Sequence, residues 1–269
     1  MAIRRLDHAL ALAGLGSRRE AAALARSGAV TVNGVTARAG SQKIDTEGDN
    51  VAVRGQLLRL AEHRYLMLHK PAGVISASRD PKTATVLDLV PPALRQRDLF
   101  PAGRLDKTST GLLLVTDDGA LAHALLSPRR HVAKTYLVTL REEATEADAA
   151  AFAAGMRLPA SEGHPPADCG PAALEILPER QTLMVLREGK YHQIRRMFAA
   201  RGNEVLALHR IAMGPLRLDE RLAPGECREL TEGEVTALRN PAEGKPQGNV
   251  LPNGLPQSDI SDIKNFQHF

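Results

Sequence analysis

Residues 30–36 read Val-Thr-Val-Asn-Gly-Val-Thr, and few backbones accept that heptapeptide. Val alternates with Thr on either side of Asn33-Gly34, the pair best able to take φ > 0 at both central positions of a two-residue turn. The segment therefore predicts a β-hairpin. Upstream, Ser17-Arg18-Arg19-Glu20 reads as a capping box, in which the Ser hydroxyl accepts an orphan N–H and the Glu reaches back. The helix it opens runs through Ala21–Arg26 and stops at Gly28, a residue suited to a left-handed C-terminal position. Before it, Ile3, Leu6, Ala9, Leu10 and Ala13 fall at helical spacing, ended by Gly14 and Gly16. A last strand is expected at Val51–Val53. Two helices and a hairpin, with Arg18, Arg19 and Arg26 on the second helix, describe a small basic module over residues 1–60.

The remainder does not repeat that pattern. Strands are expected at Tyr65–His69, Leu112–Thr116, Lys134–Leu140 and Leu183–Arg187. Helices are expected from Gly119 through Leu126, from a cap at Thr145-Glu146-Ala147-Asp148 to Gly155, and over His192–Arg201. Strands and helices without regular βαβ alternation indicate an α+β fold. A stretch from Arg59 to Arg64 links the module to this second unit, which spans residues 61–240. Beyond Asn240, over 241–269, Gly, Pro, Asn, Gln and Ser dominate, and a disordered tail is expected.

Charge locates the contacts this chain can make. Lys and Arg exceed Asp and Glu by 4 overall, and residues 1–64 alone hold 10 basic and 6 acidic side chains. A second surplus lies at 185–217, with 7 basic and 2 acidic residues. Basic patches on a near-neutral body point to a polyanion such as nucleic acid. Adjacent arginines also make ordinary solvated helix faces, so Arg18 and Arg19 carry both readings. Two cysteines, 58 residues apart and outside any Cys-x-x-Cys pair, exclude a disulfide scaffold or a zinc site built on paired cysteines. No apolar run approaches the roughly 18 residues of a membrane span, and the first twelve residues do not read as a signal peptide. A cytoplasmic location is the expectation.

The chemistry is expected at Gly103-Arg104-Leu105-Asp106-Lys107-Thr108-Ser109-Thr110-Gly111-Leu112. An Asp in a polar loop directly before a buried strand is rigidly aimed, and a nearby cation favours its ionised form. The same spacing also suits a turn-forming Asp paired to Arg104.

Two resemblances separate these readings. Residues 3–50, through Ala-Gly-Leu-Gly-Ser-Arg-Arg-Glu-Ala and Gly28 to Gly34, resemble the α-L RNA-binding module. Gly-Arg-Leu-Asp followed by Thr-Gly-Leu-Leu-Leu-Val-Thr-Asp-Asp-Gly resembles the signature of pseudouridine synthases that act on ribosomal RNA. Lys70-Pro71-Ala72-Gly73-Val74, Lys134-Thr135-Tyr136 and Glu188 to Met197 resemble that family's other motifs, in order, over roughly residues 65–218. Ser127 to His131 and Lys190-Tyr191-His192-Gln193 are similar to the small-subunit, RsuA-type branch. Thr108 departs from the side chains that many members carry there.

The resemblance implies site-specific isomerisation of a uridine to pseudouridine, with the base flipped out of its stack. Asp106 is the implied catalytic carboxylate, Tyr136 the floor beneath the flipped base, and Arg195, or else Lys190, the cation holding Asp106 ionised. Arg104 is implied to fill the gap left by the base, with Lys70, Lys190, Arg18 and Arg19 as further substrate-binding groups. A lone Tyr in a strand also suits core packing. His192 and Gln193 are expected to orient their loop, and Arg196 and Arg201 to face water. An isomerisation needs neither cofactor nor metal. The expected partner is ribosomal RNA or a ribosome assembly intermediate, met by a monomer with no membrane contact. A synthase acting on large-subunit RNA, or a non-catalytic RNA-binding assembly factor, remains as an alternative.

Overall fold

The structure, a computed structural model, describes residues 3–240 except 47, 59, 61, 62, 93, 96, 97, 128, 129, 131 and 162. The tail expected over 241–269 lies outside the described residues, as do Arg59, Ala61 and Glu62 of the linker. Pro128, Arg129 and His131 of the branch-marking segment do so too. The chain divides into two compact units. One is Met1–Arg64 with Pro91–Leu99, and the other is Tyr65–Val90 with the chain from Phe100 on.

In the first unit, β1 (Ile3–Arg5) leads into α1 (Leu6–Leu12), followed by α2 (Arg18–Arg26), β2 (Val30–Val32), β3 (Val35–Thr36), β4 (Lys43–Asp45), β5 (Val51–Val53) and β6 (Gln56–Leu58). The capping box forms at α2, with Glu20 N–H donating to Ser17 Oγ at 3.3 Å and Ser17 N–H to Glu20 Oε2 at 2.7 Å. The hairpin turn is type I′ in character, with φ of 51° at Asn33 and 79° at Gly34. The first helix begins later than its spacing predicts. Ile3 sits in β1, paired antiparallel with Asp45. No side chain caps α1. Instead its first N–H groups, from Leu6 and Asp7, donate to Gln42 O and Gly40 O at 2.8 Å each. Backbone carbonyls more than thirty residues away have replaced the local cap. Leu6, Leu10, Ala21, Ala25, Val30, Ile44 and Val51 form the aliphatic core.

The second unit contains β7 (Tyr65–Lys70), β8 (Phe100–Pro101), β9 (Thr110–Thr116), α3 (Gly119–Leu126), β10 (Lys134–Leu140) and α4 (Glu146–Ala154). It continues through β11 (Met156–Leu158), β12 (Ala167–Cys169), β13 (Ala173–Ile176), β14 (Gln181–Leu186), α5 (Gln193–Ala200), β15 (Val205–Met213), β16 (Leu216–Arg217), β17 (Cys227–Glu229) and α6 (Glu232–Arg239). Among the described residues nine strands form one sheet, ordered β13-β14-β10-β15-β9-β7-β17, with β16 beside β15 and β8 beside β9. Its pairings are antiparallel except β15 with β9, where His209 faces Thr110 and Arg210 faces Gly111. The fold is α+β.

Both faces of this sheet are covered, which is why β7 is buried at all six positions. Tyr65, Met67, Leu112, Leu114, Leu137 and Leu183 pack with Leu121 and Leu125 of α3 and Leu238 of α6 on one face. Tyr136, Val138, Met184 and Leu186 pack with Phe152 of α4 and Ile194, Met197 and Phe198 of α5 on the other. Each buried Leu, Met or Phe contributes about 1.5–3 kcal/mol through removal from water. Leu105 joins this second cluster, so the residue beside Asp106 is anchored in the core. Among the described residues no helix is long and apolar enough to cross a membrane.

Candidate active site

The residues between β8 and β9 are fixed by their backbone. Ser76 Oγ donates to Leu105 O at 2.9 Å and lies 3.0 Å from Leu105 N, a two-point clasp immediately before Asp106. Gly73 N–H donates to Lys107 O at 2.8 Å, and Ser109 N–H to Asp106 O at 3.1 Å. From beneath, the Lys70 ammonium donates to Ser109 O at 2.7 Å, Pro71 O at 2.9 Å and Lys107 O at 3.4 Å. Lys70 has no exposed surface. The carboxylate of Asp106 stays partly open to solvent, with 31% of its side chain exposed.

Near that carboxylate lie the His192 ring and the buried Lys70 ammonium. His192 Nε2 lies 3.6 Å from Asp106 Oδ1. The ring is aimed by an unusual backbone, since His192 has φ 47° at the start of α5. Tyr136, at 8% exposure, packs in the same apolar cluster as Leu105, and its hydroxyl has no hydrogen-bond partner among the described residues. Arg210 is also buried, and its Nε donates to Leu112 O at 2.7 Å while Nη2 is without a partner among the described residues. Burial lowers the Lys134 ammonium, and Arg210 lowers it further while Glu188 opposes the shift. Of these buried cations, Lys70 is the one whose charge is felt by Asp106.

Residues 64–200 match the RNA pseudouridylate synthase family, and residues 4–51 match the S4 domain. An uncharacterized RNA pseudouridine synthase of Bacillus subtilis, YtzG, is 43% identical over 88% of this chain and 99% of its own length. The chain belongs to the RNA pseudouridylate synthase family. Ribosomal small subunit pseudouridine synthase A of Escherichia coli K12 is 41% identical over 87% of this chain and 99% of its own. The Vibrio cholerae protein of the same name is 43% identical over the same shares. A crystal structure of a pseudouridylate synthase, 39% identical, superposes with a TM-score of 0.60 over 87% of this chain and 99% of that one.

Several expected contacts of this synthase are rearranged. Arg195 does not reach Asp106. It donates to Val205 O at 2.8 Å and Thr108 Oγ1 at 3.2 Å, joining the loop to the start of β15. Lys190 pairs with Glu188 at 2.7 Å, and Gln193 Nε2 donates to the other oxygen of the same carboxylate at 2.7 Å. Lys70, expected at the substrate, is fully buried with its ammonium bonded to backbone carbonyls. Arg104 is exposed and has no ion pair among the described residues, so the Asp106–Arg104 pair that spacing allows does not form. Arg201 is exposed, as expected, but Arg196 does not face water. Arg196 is 7% exposed and bonds three carbonyls, while Arg201 Nε donates to Asp148 Oδ1 of α4 at 2.7 Å. In the first unit Arg18 Nη2 lies 3.4 Å from the buried Asp7 carboxylate. Arg19 is exposed, with no ion pair among the described residues.

His69 had no signal in the sequence, and His209, lacking ligand spacing, reads there as a structural or surface group. Their rings meet edge to face at 5.4 Å, and burial, with His69 adding to it, pushes His209 down to about 4. His209 therefore stays neutral at pH 7, with Nδ1 2.8 Å from Thr110 Oγ1.

Burial pulls Lys70 from 10.5 down to about 8; Asp106 opposes the shift and Arg210 adds to it. Above that pH the neutral amine keeps two N–H groups for three carbonyls, and Asp106 loses its buried counter-charge. kcat/KM is expected to fall on an alkaline limb centred near pH 8. Stability moves the other way through this group. Its folded value lies below its unfolded one, so the unfolded chain binds more protons between about 8 and 10.5, and this contribution rises with pH there. A pH–rate profile beside thermal melts checks both signs, and a flat profile across this range removes Lys70 from control of the loop.

Proposed function

We propose that this enzyme converts a uridine of small-subunit ribosomal RNA to pseudouridine, with Asp106 as the reacting carboxylate. The observation that carries the reading is the fixed, partly exposed Asp106, clasped through backbone by Ser76 and Lys70 and placed over buried positive charge. The reaction breaks the bond from the sugar to the base nitrogen and rejoins the sugar to carbon 5 of the same uracil. It balances within one nucleotide, so the protein supplies an ionised carboxylate, orientation and exclusion of water.

The uridine is flipped from its helix to reach Asp106. Tyr136 supports the flipped base, and the exposed Arg104 occupies the space it leaves. The small-subunit target rests on the relatives named for that subunit and on the Lys-Tyr-His-Gln segment. In this reading residues 1–60 form an RNA-binding module and residues 61–240 the catalytic domain. The enzyme acts as a cytoplasmic monomer on ribosomal RNA or an assembly intermediate.

Pseudouridine mapping of rRNA from cells with and without the gene tests the assignment, alongside transcripts treated with purified protein. Loss of one small-subunit pseudouridine in the mutant is expected. Loss only from large-subunit RNA overturns the subunit assignment, and no change in either overturns the catalytic reading.

The arginines of α2 divide by structure. Arg19→Glu is expected to reduce the log–log salt slope of RNA binding by roughly 0.7–0.9 for each phosphate it no longer neutralises, with little change in melting. Arg18→Glu has the same effect on RNA and also sets a second carboxylate against Asp7, which is 4% exposed, so it lowers stability as well. An unchanged slope in both returns these arginines to the solvated-face reading.

A further inference from the structure

Three aromatic rings stand in a column beside Asp106. The centroids of His164 and Tyr191 are 3.6 Å apart with planes 16° from parallel. His192 lies 3.9 Å from the same tyrosine ring at 19°. Two rings at such distances cannot share one face of Tyr191, so the order is His164, Tyr191, His192. The inner end is His192, whose Nε2 is 3.6 Å from the Asp106 carboxylate. The outer end is His164, on a tight turn closed by Ser161 N–H to His164 O at 3.1 Å and His164 N–H to Ser161 O at 2.8 Å. A shallow, open hollow lies against it, lined by Ala160, Ser161, Gly163, His164 and Pro165.

The geometry is atypical of this protein's interior. Phe152 meets Phe198 at 87°, and His69 meets His209 at 72°, the edge-on arrangement that ring quadrupoles favour. Near-parallel rings at under 4 Å are instead the geometry of stacked bases. Tyr191 is also 40% exposed, whereas the other two tyrosines, Tyr65 and Tyr136, are each 8% exposed.

One side chain holds the column together. Arg196 Nη2 donates to Pro159 O at 2.6 Å and Pro165 O at 3.2 Å, the two ends of the turn that carries His164. Its Nη1 donates to Tyr191 O at 3.3 Å. Keeping a guanidinium buried is costly, and each of these bonds goes to a segment that carries the column.

We propose that the column is a stacking site for an RNA base flanking the target uridine. That base lies over the open hollow on the outer face of His164, extending the column by one ring. The column then sets the spacing between the flanking base and Asp106, which makes it a determinant of which uridine reaches the carboxylate. The inference rests on Asp106 being the place where uridine reacts.

A double-mutant cycle between protein and RNA tests it. Full-length wild type, His164→Ala and His164→Phe are assayed on a small-subunit rRNA transcript, and on transcripts with single abasic substitutions on either side of the modified uridine. His164→Ala is expected to raise KM about tenfold, on the scale of removing one base–aromatic stack. His164→Phe, which keeps a ring, is expected to restore it. One abasic position should cost wild type a similar factor and cost His164→Ala nothing further, because the two changes remove the same interaction. Additive effects at every flanking position, or a Phe variant no better than Ala, overturn the stacking site. If wild type forms pseudouridine, that failure belongs to the inference alone; if it modifies neither rRNA, the catalytic reading falls and the inference with it.

Discussion

Asp106→Asn is expected to lower single-turnover pseudouridine formation by at least about a thousandfold, the scale seen when an essential group is removed. The substitution keeps shape and can keep a contact to His192. It removes the negative charge that either attack on the sugar or assistance to bond cleavage requires. The loop itself should survive, because Ser76 and Lys70 bind its backbone at Leu105, Lys107 and Ser109 and not the Asp106 side chain. Melting temperature and affinity for rRNA are therefore expected to stay near wild type. Turnover within tenfold of wild type would take Asp106 out of the reaction.

Gly111→Ala is expected to destabilise the second unit by roughly 3–5 kcal/mol, since backbone strain and overpacking each cost about 1–3 kcal/mol or more. Gly111 has φ 103°, and an added Cβ would lie 2.3 Å from Arg210 O and 2.6 Å from Arg210 N. Those neighbours are backbone atoms of the adjacent strand and cannot swing aside. For a unit of this size the destabilisation corresponds to a melting temperature lower by about 8–15 °C. Because Gly111 is the second residue of β9, which follows the Asp106 loop directly, activity should fall even below the transition. Urea and thermal unfolding give the stability, and a change under about 1 kcal/mol would mean that β9 moves off β15 without the expected strain.

What the sequence made legible was chemistry closed within a few residues. Ser17 with Glu20, Thr145 with Asp148 and the Asn33-Gly34 turn all complete their bonds locally, and each stands where expected. The errors fall on groups whose partners are distant. Ile3 has helical spacing, but its strand partner lies at Asp45. Lys70 and Arg196 look like basic surface residues until carbonyls from Ser109, Pro159 and Pro165 enclose them. A cation's spacing does not say whether it will face a phosphate or a peptide oxygen. Asp106 was singled out by the resemblance, because its place before an apolar strand suits a turn-forming Asp equally well. Its neighbour His192 was not, because a left-handed backbone and a stacked tyrosine aim that ring.

The parallel pairing of β15 with β9 has a kinetic meaning. β10, β13, β14 and β15 come from one continuous stretch of chain, and β7, β8 and β9 from an earlier one. The paired residues His209–Thr110 and Arg210–Gly111 join the two stretches across 99 positions of sequence. Closing so long a loop carries an entropic cost before the pairing returns anything, so each stretch gains its local hairpins sooner than the seam between them. Thr108 meets Arg195 only once that seam has closed, and the same docking brings His192 to Asp106. The side chains gathered at Asp106 come from both stretches, so a chain in which this seam is open has no assembled centre.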